Sequence, residues 1–159
     1  MGDEIIDIVN ESDEIIGKGL KSTCHKGGIP HRISAVLLFD SEGNIWLQKR
    51  SNKIKVGSGL IDCSASGHLL AGESYEEAAK KEMKEELGIG ANLTYSGIKI
   101  FEDFVYYGNK HVKHFIKLFL GKYDGPFNIQ AEELEDIQPY SIGEVKRLMV
   151  QDPQPSQRV

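Results

Sequence analysis

The stretch from Gly67 to Ile89, GHLLAGESYEEAAKKEMKEELGI, constrains this chain more than any other. Ser74 followed by Glu77 has capping-box spacing, Ala78 and Ala79 are strong helix formers, and Gly88 falls where a left-handed C-terminal cap belongs. A helix is therefore predicted from Tyr75 to Leu87. At about 3.6 residues per turn, Tyr75, Ala78, Ala79 and Met83 share one side, Glu82 and Glu86 point almost the same way, and Glu85 stands at the margin. Glu77, Lys80, Lys81 and Lys84 take the opposite, solvent-facing side. Carboxylates three and four apart repel by roughly a few tenths of a kcal/mol per pair in water, and partial burial raises that cost. A hard divalent cation held by carboxylate oxygens offsets the repulsion most simply. Mg²⁺ suits such a site, which has few protein ligands and shares its shell with water and phosphate. A solvated acidic helix edge fits the same spacing.

The loop before the helix adds to the pattern. Gly67 and Gly72 bracket a short turn, Glu73 stands just before the cap, and the positive end of the helix with its loop amides offers donors to phosphate oxygens. The glycines serve equally as turn residues. Gly67, five residues, Glu73, seven residues, then Lys81 through Ile89 resembles the Nudix box, G-x5-E-x7-R-E-U-x-E-E-x-G-U with U aliphatic, at eight of its nine fixed positions. Lys81 stands where the family has arginine, and its ammonium cannot make the planar two-pronged contact of a guanidinium.

Composition fits one compact domain with a single core over residues 1–159: 40% of residues are hydrophobic and 27% charged. The net charge of -5, with no basic run, argues against a nucleic acid polymer as partner. An anionic small substrate then needs a metal to offset the protein's own charge. The acidic N-terminus MGDEIIDIVN has no signal-peptide core, no stretch is long enough to span a membrane, and the expected location is cytoplasmic. Cys24 and Cys63 are too few and isolated for a disulfide framework and read as reduced thiols, Cys63 packed in a strand.

Along the chain, Glu4 to Val9 and Glu14 to Gly17 read as an opening hairpin at the sheet edge, followed by a short helical or irregular piece through His25. Ser34 to Phe39 and Ile45 to Arg50 form a hairpin about Gly43. A polar loop from Ser51 to Gly59 leads into a strand from Leu60 to Ser66 that delivers the box loop. Leu93 to Phe104 and His111 to Leu120 read as strands joined through Tyr106-Tyr107-Gly108-Asn109. Glu132 to Asp136 is an acidic patch, and Ser141 with Glu144 caps a last helix to about Met149, with a loose tail from Asp152. Strands before, between and after helices predict an α/β fold, a mixed β-sheet in an α/β/α sandwich, which is also the Nudix fold.

His25, His31 and His68 invite a metal reading, although isolated histidines are more often core or surface residues. His25, His31-Arg32, the strand ending Gln48-Lys49-Arg50, and Ser64-Ala65-Ser66-Gly67-His68 are similar to the Nudix branch that contains isopentenyl-diphosphate isomerase. In that enzyme the corresponding histidines bind a divalent metal. Its essential cysteine corresponds to Ser66 here, and its later acidic residues are replaced near His111 and His114. Lys49 and Arg50 end a strand pointing toward the box and are candidates for substrate phosphate, as is His68, while a solvated strand end is the simpler account of the two cations.

The resemblance implies hydrolysis, with Mg²⁺ or Mn²⁺, of the pyrophosphate bond in a nucleoside diphosphate linked to a group X, or in a similar small diphosphate. Under it Glu82, Glu85 and Glu86 are catalytic and ligate metal, Glu73 orients the cluster or holds a second metal through water, and the Gly67 carbonyl completes the shell. Glu133 is the candidate acid from outside the box. Group X is chosen by loops beyond the box. An isomerase-like enzyme and a ligand-binding Nudix domain without turnover are the alternatives, and a homodimer is admitted without being required.

Overall fold

The apolar run of the chain's first long strand organises the molecule. A computed structural model describes residues 2–54, 59–106 and 110–151. The elements in order are β1 (Ile5–Val9), β2 (Ile15–Leu20), α1 (Lys21–Gly27), β3 (His31–Phe39), β4 (Ile45–Arg50), β5 (Ile61–Asp62), β6 (Ala65–His68), α2 (Tyr75–Leu87), β7 (Leu93–Tyr106), β8 (Lys110–Lys122), β9 (Leu134–Tyr140) and α3 (Ile142–Gln151). The predicted turn after Tyr106 and the tail from Asp152 lie outside the described residues, as does 55–58 of the Ser51–Gly59 loop.

Strand β3 lies at the centre of a mixed sheet. β8 runs parallel to it, Val36 opposite Phe119 and Ile33 opposite Ile116, and β7 pairs antiparallel beyond β8. On the other flank β4 pairs with β3 only at Leu38–Trp46 and Phe39–Ile45, then diverges. The opened wedge is filled by β6, antiparallel to β3 from Ile33 to Val36, and by β5 against Gln48 and Lys49 of β4. Ser64 holds the fork: the Leu38 amide donates to its Oγ at 2.8 Å, and that hydroxyl donates to the Trp46 carbonyl. The predicted strand from Leu60 to Ser66 is thus two short strands, because the segment changes partners at the wedge. Cys63 lies between them rather than within a strand, and both cysteines are free.

Alternation along β3 sorts the sheet into two faces. Ser34, Val36 and Leu38 point toward α2, where Val36, Leu38, Phe115, Phe119, Leu134 and Ile137 bury its Ala78, Ala79, Met83 and Leu87. Ile33, Ala35 and Ile116 point the other way and pack with Cys63 and Leu118. The helix–sheet layering predicted from the sequence is therefore present in this α/β fold.

Three expectations need correction. The first hairpin forms its own two-stranded sheet, docked on β3 by the Val9 amide on the Pro30 carbonyl (3.0 Å) rather than added to the main sheet's edge. β3 begins at His31, because Ile29-Pro30 already delivers an extended chain. The acidic patch from Glu132 to Asp136 contains the start of a missed strand, β9, paired with β4. Only Leu134 and Ile137 of β9 are buried, so clean alternation is absent, and Pro139 is tolerated because, among the described residues, β9 pairs with β4 alone.

Candidate active site

Helix α2 spans the predicted residues. The Glu77 amide donates to Ser74 Oγ at 3.1 Å, the Ser74 amide donates to Glu77 Oε1 at 3.2 Å, and Gly88 closes the helix at φ 68°. Capping and the apolar stripe together fix the rotation of the helix. Glu86 is 8% exposed, the Glu82 side chain 14%, and Glu85 lies open to solvent at the margin.

Glu86 is pinned by two donors. Its Oε1 accepts from the Ser66 amide at 3.1 Å and from Gln48 Nε2 at 3.2 Å. Glu82 lies beneath Gly67 so closely that a Cβ built there would sit 2.2 Å from its Cδ. Burial, and then the neighbouring carboxylates, push Glu86 up to about 8. Burial raises Glu82 to about 7, with Lys81 opposing and Glu85 adding. Inward-facing carboxylates that raise one another in this way are residues that could hold a divalent cation.

Lys81 does not face solvent as the helical wheel placed it. Its stem curls back so that Nζ lies 2.8 Å from Glu73 Oε1 and 3.6 Å from Glu82 Oε1. Burial works against its charge, but Glu73, Glu82 and Glu85 prevail and hold the ammonium above its ordinary value. Glu73 Oε1 also accepts the Leu70 amide at 2.6 Å, so Glu73 ties the loop to Lys81. Lys81 therefore performs the bridging expected of arginine, with one point contact in place of two. Lys81→Arg should keep or raise metal-dependent turnover, and steady-state kinetics at saturating metal check this. Loss of turnover with an unchanged melting curve would mean that the box is organised differently.

The loop amides are not open to phosphate as the sequence suggested. Leu70 donates to Glu73, Ala71 to the Ile5 carbonyl, Gly72 to Asp7 Oδ2 at 2.9 Å, Glu73 to the Leu70 carbonyl and Ser74 to Glu77. Asp7, buried in β1, was not singled out from the sequence, and Gln48 was named only as part of the strand end, with no role. Gln48, as a polar residue at an inward position of β4, carried a signal that alternation could have found.

Of the cations at the end of β4, Arg50 Nη1 lies 3.2 Å from the buried Asp62 carboxylate, and the exposed Lys49 lies 3.7 Å from Glu135. Glu133 is exposed, yet its charge is among those that raise Glu86.

His68 belongs elsewhere than with the box carboxylates. Gly67 pairs with Ser34 on the α2 face, whereas His68 pairs with Ile33 and shares the opposite face. There it meets His25 of α1 and His31 of β3, and one ring nitrogen from each lies within 4.8 Å of the others. Burial lowers His31 to about 3 and His68 well below its ordinary value, so both rings are neutral. His114, in register with His31, stands edge-on to it and meets the buried Glu102 at 3.2 Å.

A family model for the NUDIX domain matches residues 29–158. The chain belongs to the Nudix hydrolase family. Its members act on phosphorus-containing acid anhydrides. This Nudix chain is 30% identical over 151 residues to isopentenyl-diphosphate Delta-isomerase 2 of Photorhabdus laumondii, covering 92% of the chain and 82% of the relative. It is 31% identical over 135 residues to the uncharacterized Nudix hydrolase YfcD of Salmonella typhi, covering 84% of the chain and 70% of that protein. The crystal structure of DR0079 from Deinococcus radiodurans superposes with a TM-score of 0.76 at 21% identity, covering 93% and 90% of the two chains, and this shows a shared fold. Among the described residues, no helix of this Nudix protein is long and apolar enough to cross a membrane.

Proposed function

We propose that this Nudix protein is a hydrolase dependent on Mg²⁺, with Mn²⁺ as a substitute, that cleaves the pyrophosphate bond of a nucleoside diphosphate linked to another group or of a similar small diphosphate. The observation that carries the reading is the side-by-side placement of Glu82, beneath Gly67, and Glu86, on the Ser66 amide, both pushed up by burial and by neighbouring carboxylates. Glu82 and Glu86, with the exposed Glu85, hold the cation, and the Gly67 carbonyl and Glu133 complete the set. When bound, the cation supplies positive charge against diphosphate oxygens as charge builds during water attack.

The remaining side chains position. Gln48 and the Ser66 amide aim the Glu86 carboxylate, and Glu73 through Lys81 aims that of Glu82. Arg50, braced by Asp62, and the exposed Lys49 are the cations available to substrate phosphate. The test is a panel of nucleotide sugars, dinucleotides, nucleoside triphosphates and prenyl diphosphates incubated with Mg²⁺ or Mn²⁺ and scored for phosphate products. Metal-dependent release from at least one class is expected. A tight ligand without product would make the chain a binding domain.

A second reading has one observation in its favour, the isomerase from Photorhabdus among its relatives. Moving a double bond requires protonating an unactivated alkene, which asks for a potent acid in a dry pocket. Ser66 offers a hydroxyl at the place of the isomerase cysteine. Cys63, the nearest thiol in sequence, donates to the Ala65 carbonyl at 3.3 Å, and burial holds its pKa well up. Incubation with isopentenyl diphosphate, followed by NMR, is therefore expected to show no dimethylallyl diphosphate. Steady isomerisation that disappears in Ser66→Ala would overturn the hydrolase reading.

A further inference from the structure

The flank of α2 turned away from Glu82 and Glu86 carries a feature that the proposed hydrolysis does not use. An open cavity of about 470 Å³ lies between the C-terminal half of the helix, the chain that follows it and the end of β8. Buried Met83 and Ile89 form its floor, and Lys80, Lys84 and Lys122 stand round its rim beside Tyr123. At 3.6 residues per turn Lys84 stands roughly 160° round the helix from Glu82, so α2 itself separates the cavity from the box carboxylates.

The charge of this cavity runs against that of the chain. Acidic residues outnumber basic ones by 24 to 19, yet among the described residues no carboxylate lines it. Lys80 and Lys84, four apart on one helix, repel each other. Lys80 meets Glu76 at 3.4 Å in a pair so exposed that it exchanges readily, and among the described residues no salt bridge engages Lys84 or Lys122. A helix C-terminus ordinarily disfavours an anion, but here its carbonyls are covered: those of Lys84, Glu86 and Leu87 accept the amides of Gly88, Gln130 and Asn128, each at 2.9 Å.

Tyr123 supplies a fixed wall. Its hydroxyl donates to the Pro126 carbonyl at 2.9 Å, its own carbonyl accepts Trp46 Nε1 at 2.8 Å, and its ring packs on Phe127 at 5.2 Å. An immobile ring beside an apolar floor suits a flat apolar body, and the volume falls within the range of about 300–1,000 Å³ usual for small-molecule sites. Exposed ammonium groups alone hold an anion weakly, so the floor is needed for affinity and the lysines for selectivity.

We propose that this cavity is a second ligand site, separate from the box, for a small amphipathic anion: a flat apolar body rests on Met83, Ile89 and Tyr123 while a phosphate or carboxylate head sits among the three ammonium groups. The inference stands whether or not the box hydrolyses a diphosphate.

The test is an amide NMR titration of the full chain with naphthyl phosphate, naphthoate, naphthol and inorganic phosphate. Chelator is present throughout, so that no metal draws the anions to the box. At least one naphthyl anion should saturate, move the amides of residues 80–92 and 122–123 while leaving those of Ser66 and Gly67 in place, and bind roughly tenfold more tightly than naphthol or inorganic phosphate. The tighter of the two anions identifies the head group. Lys84→Gln combined with Lys122→Gln, both at exposed positions, should keep the melting curve and weaken binding roughly tenfold, and added salt should weaken the parent's binding as well. Equal affinity for naphthol, indifference to the two substitutions, shifts centred on Ser66 and Gly67, or no saturable binding of either anion would each overturn the assignment.

Discussion

Glu86→Gln and Glu85→Gln should each lower metal-dependent turnover roughly a hundredfold or more at saturating Mg²⁺, a barrier increase of about 3 kcal/mol or more. Amide and carboxylate are close in shape and helix propensity, so the loss reports charge. Full activity in both variants would defeat the assignment of the box. For Glu86 the same substitution has an opposite effect on stability without metal. Its folded pKa of about 8 and that of Glu82 near 7 lie above the ordinary carboxylate value of 4.5, so folding favours the protonated forms. That stabilisation is complete below the ordinary value and is lost as pH rises through about 7 and 8. In chelator, the parent protein should therefore melt at progressively lower temperature from pH 5 to pH 9, by an amount on the order of a few kcal/mol in stability. Glu86→Gln should flatten that slope and melt higher than the parent at pH 9. Thermal melts across this range decide it: a parent curve independent of pH would show that the carboxylates are not held as described.

Gly67→Ala should be nearly as damaging to turnover as removal of the Glu82 charge. The added methyl would lie 2.2 Å from Glu82 Cδ, 2.4 Å from its Oε1 and 2.6 Å from its Cγ. The methyl and the carboxylate cannot share that space, and the side chain is the part able to leave. Turnover should fall about a hundredfold, with a smaller loss of stability, because α2 keeps its caps and its apolar stripe. The decisive comparison is a double-mutant cycle with Glu82→Gln. If displacement of Glu82 is the cause, the double variant should be scarcely slower than Glu82→Gln alone. Additive losses would mean that Gly67 matters for another reason, such as its carbonyl.

What was legible in the sequence was the local chemistry. The capping box, the paired alanines and Gly88 gave α2 its bounds, because each acts within one helical turn. The inward aim of Glu82 and Glu86 followed from helical period alone. The missing parts depend on contacts distant in sequence. The wedge at Ser64 exists because β4 leaves β3 after Trp46, which no alternation within Leu60 to Ser66 encodes. Lys81 was assigned to solvent because a wheel places its Cα but not the end of its flexible stem, which Glu73 attracts. The phosphate-binding role given to the loop amides failed for a similar reason, since their acceptors include Ile5 and Asp7, more than sixty residues earlier in the chain. His68 was drawn toward the box by its neighbour Gly67, although adjacent residues of a strand face opposite ways.

That last geometry limits how this protein can diverge. Gly67 and His68 face opposite sides of one short strand, Gly67 toward the Glu82 carboxylate and His68 toward the rings of His25 and His31, so the segment between Asp62 and Ala65 works as a spacer whose length sets a phase. A single residue deleted or inserted there would shift β6 by one and turn every side chain over. With a deletion, an imidazole would come to the place beneath which Glu82 lies, where even a methyl does not fit, while the cluster with His25 and His31 would lose its third ring. Point substitutions can alter either face alone, but a length change reaches both at once. Descendants of this chain should therefore keep the number of residues between Asp62 and Ala65, and keep Ser64 among them for the fork it holds.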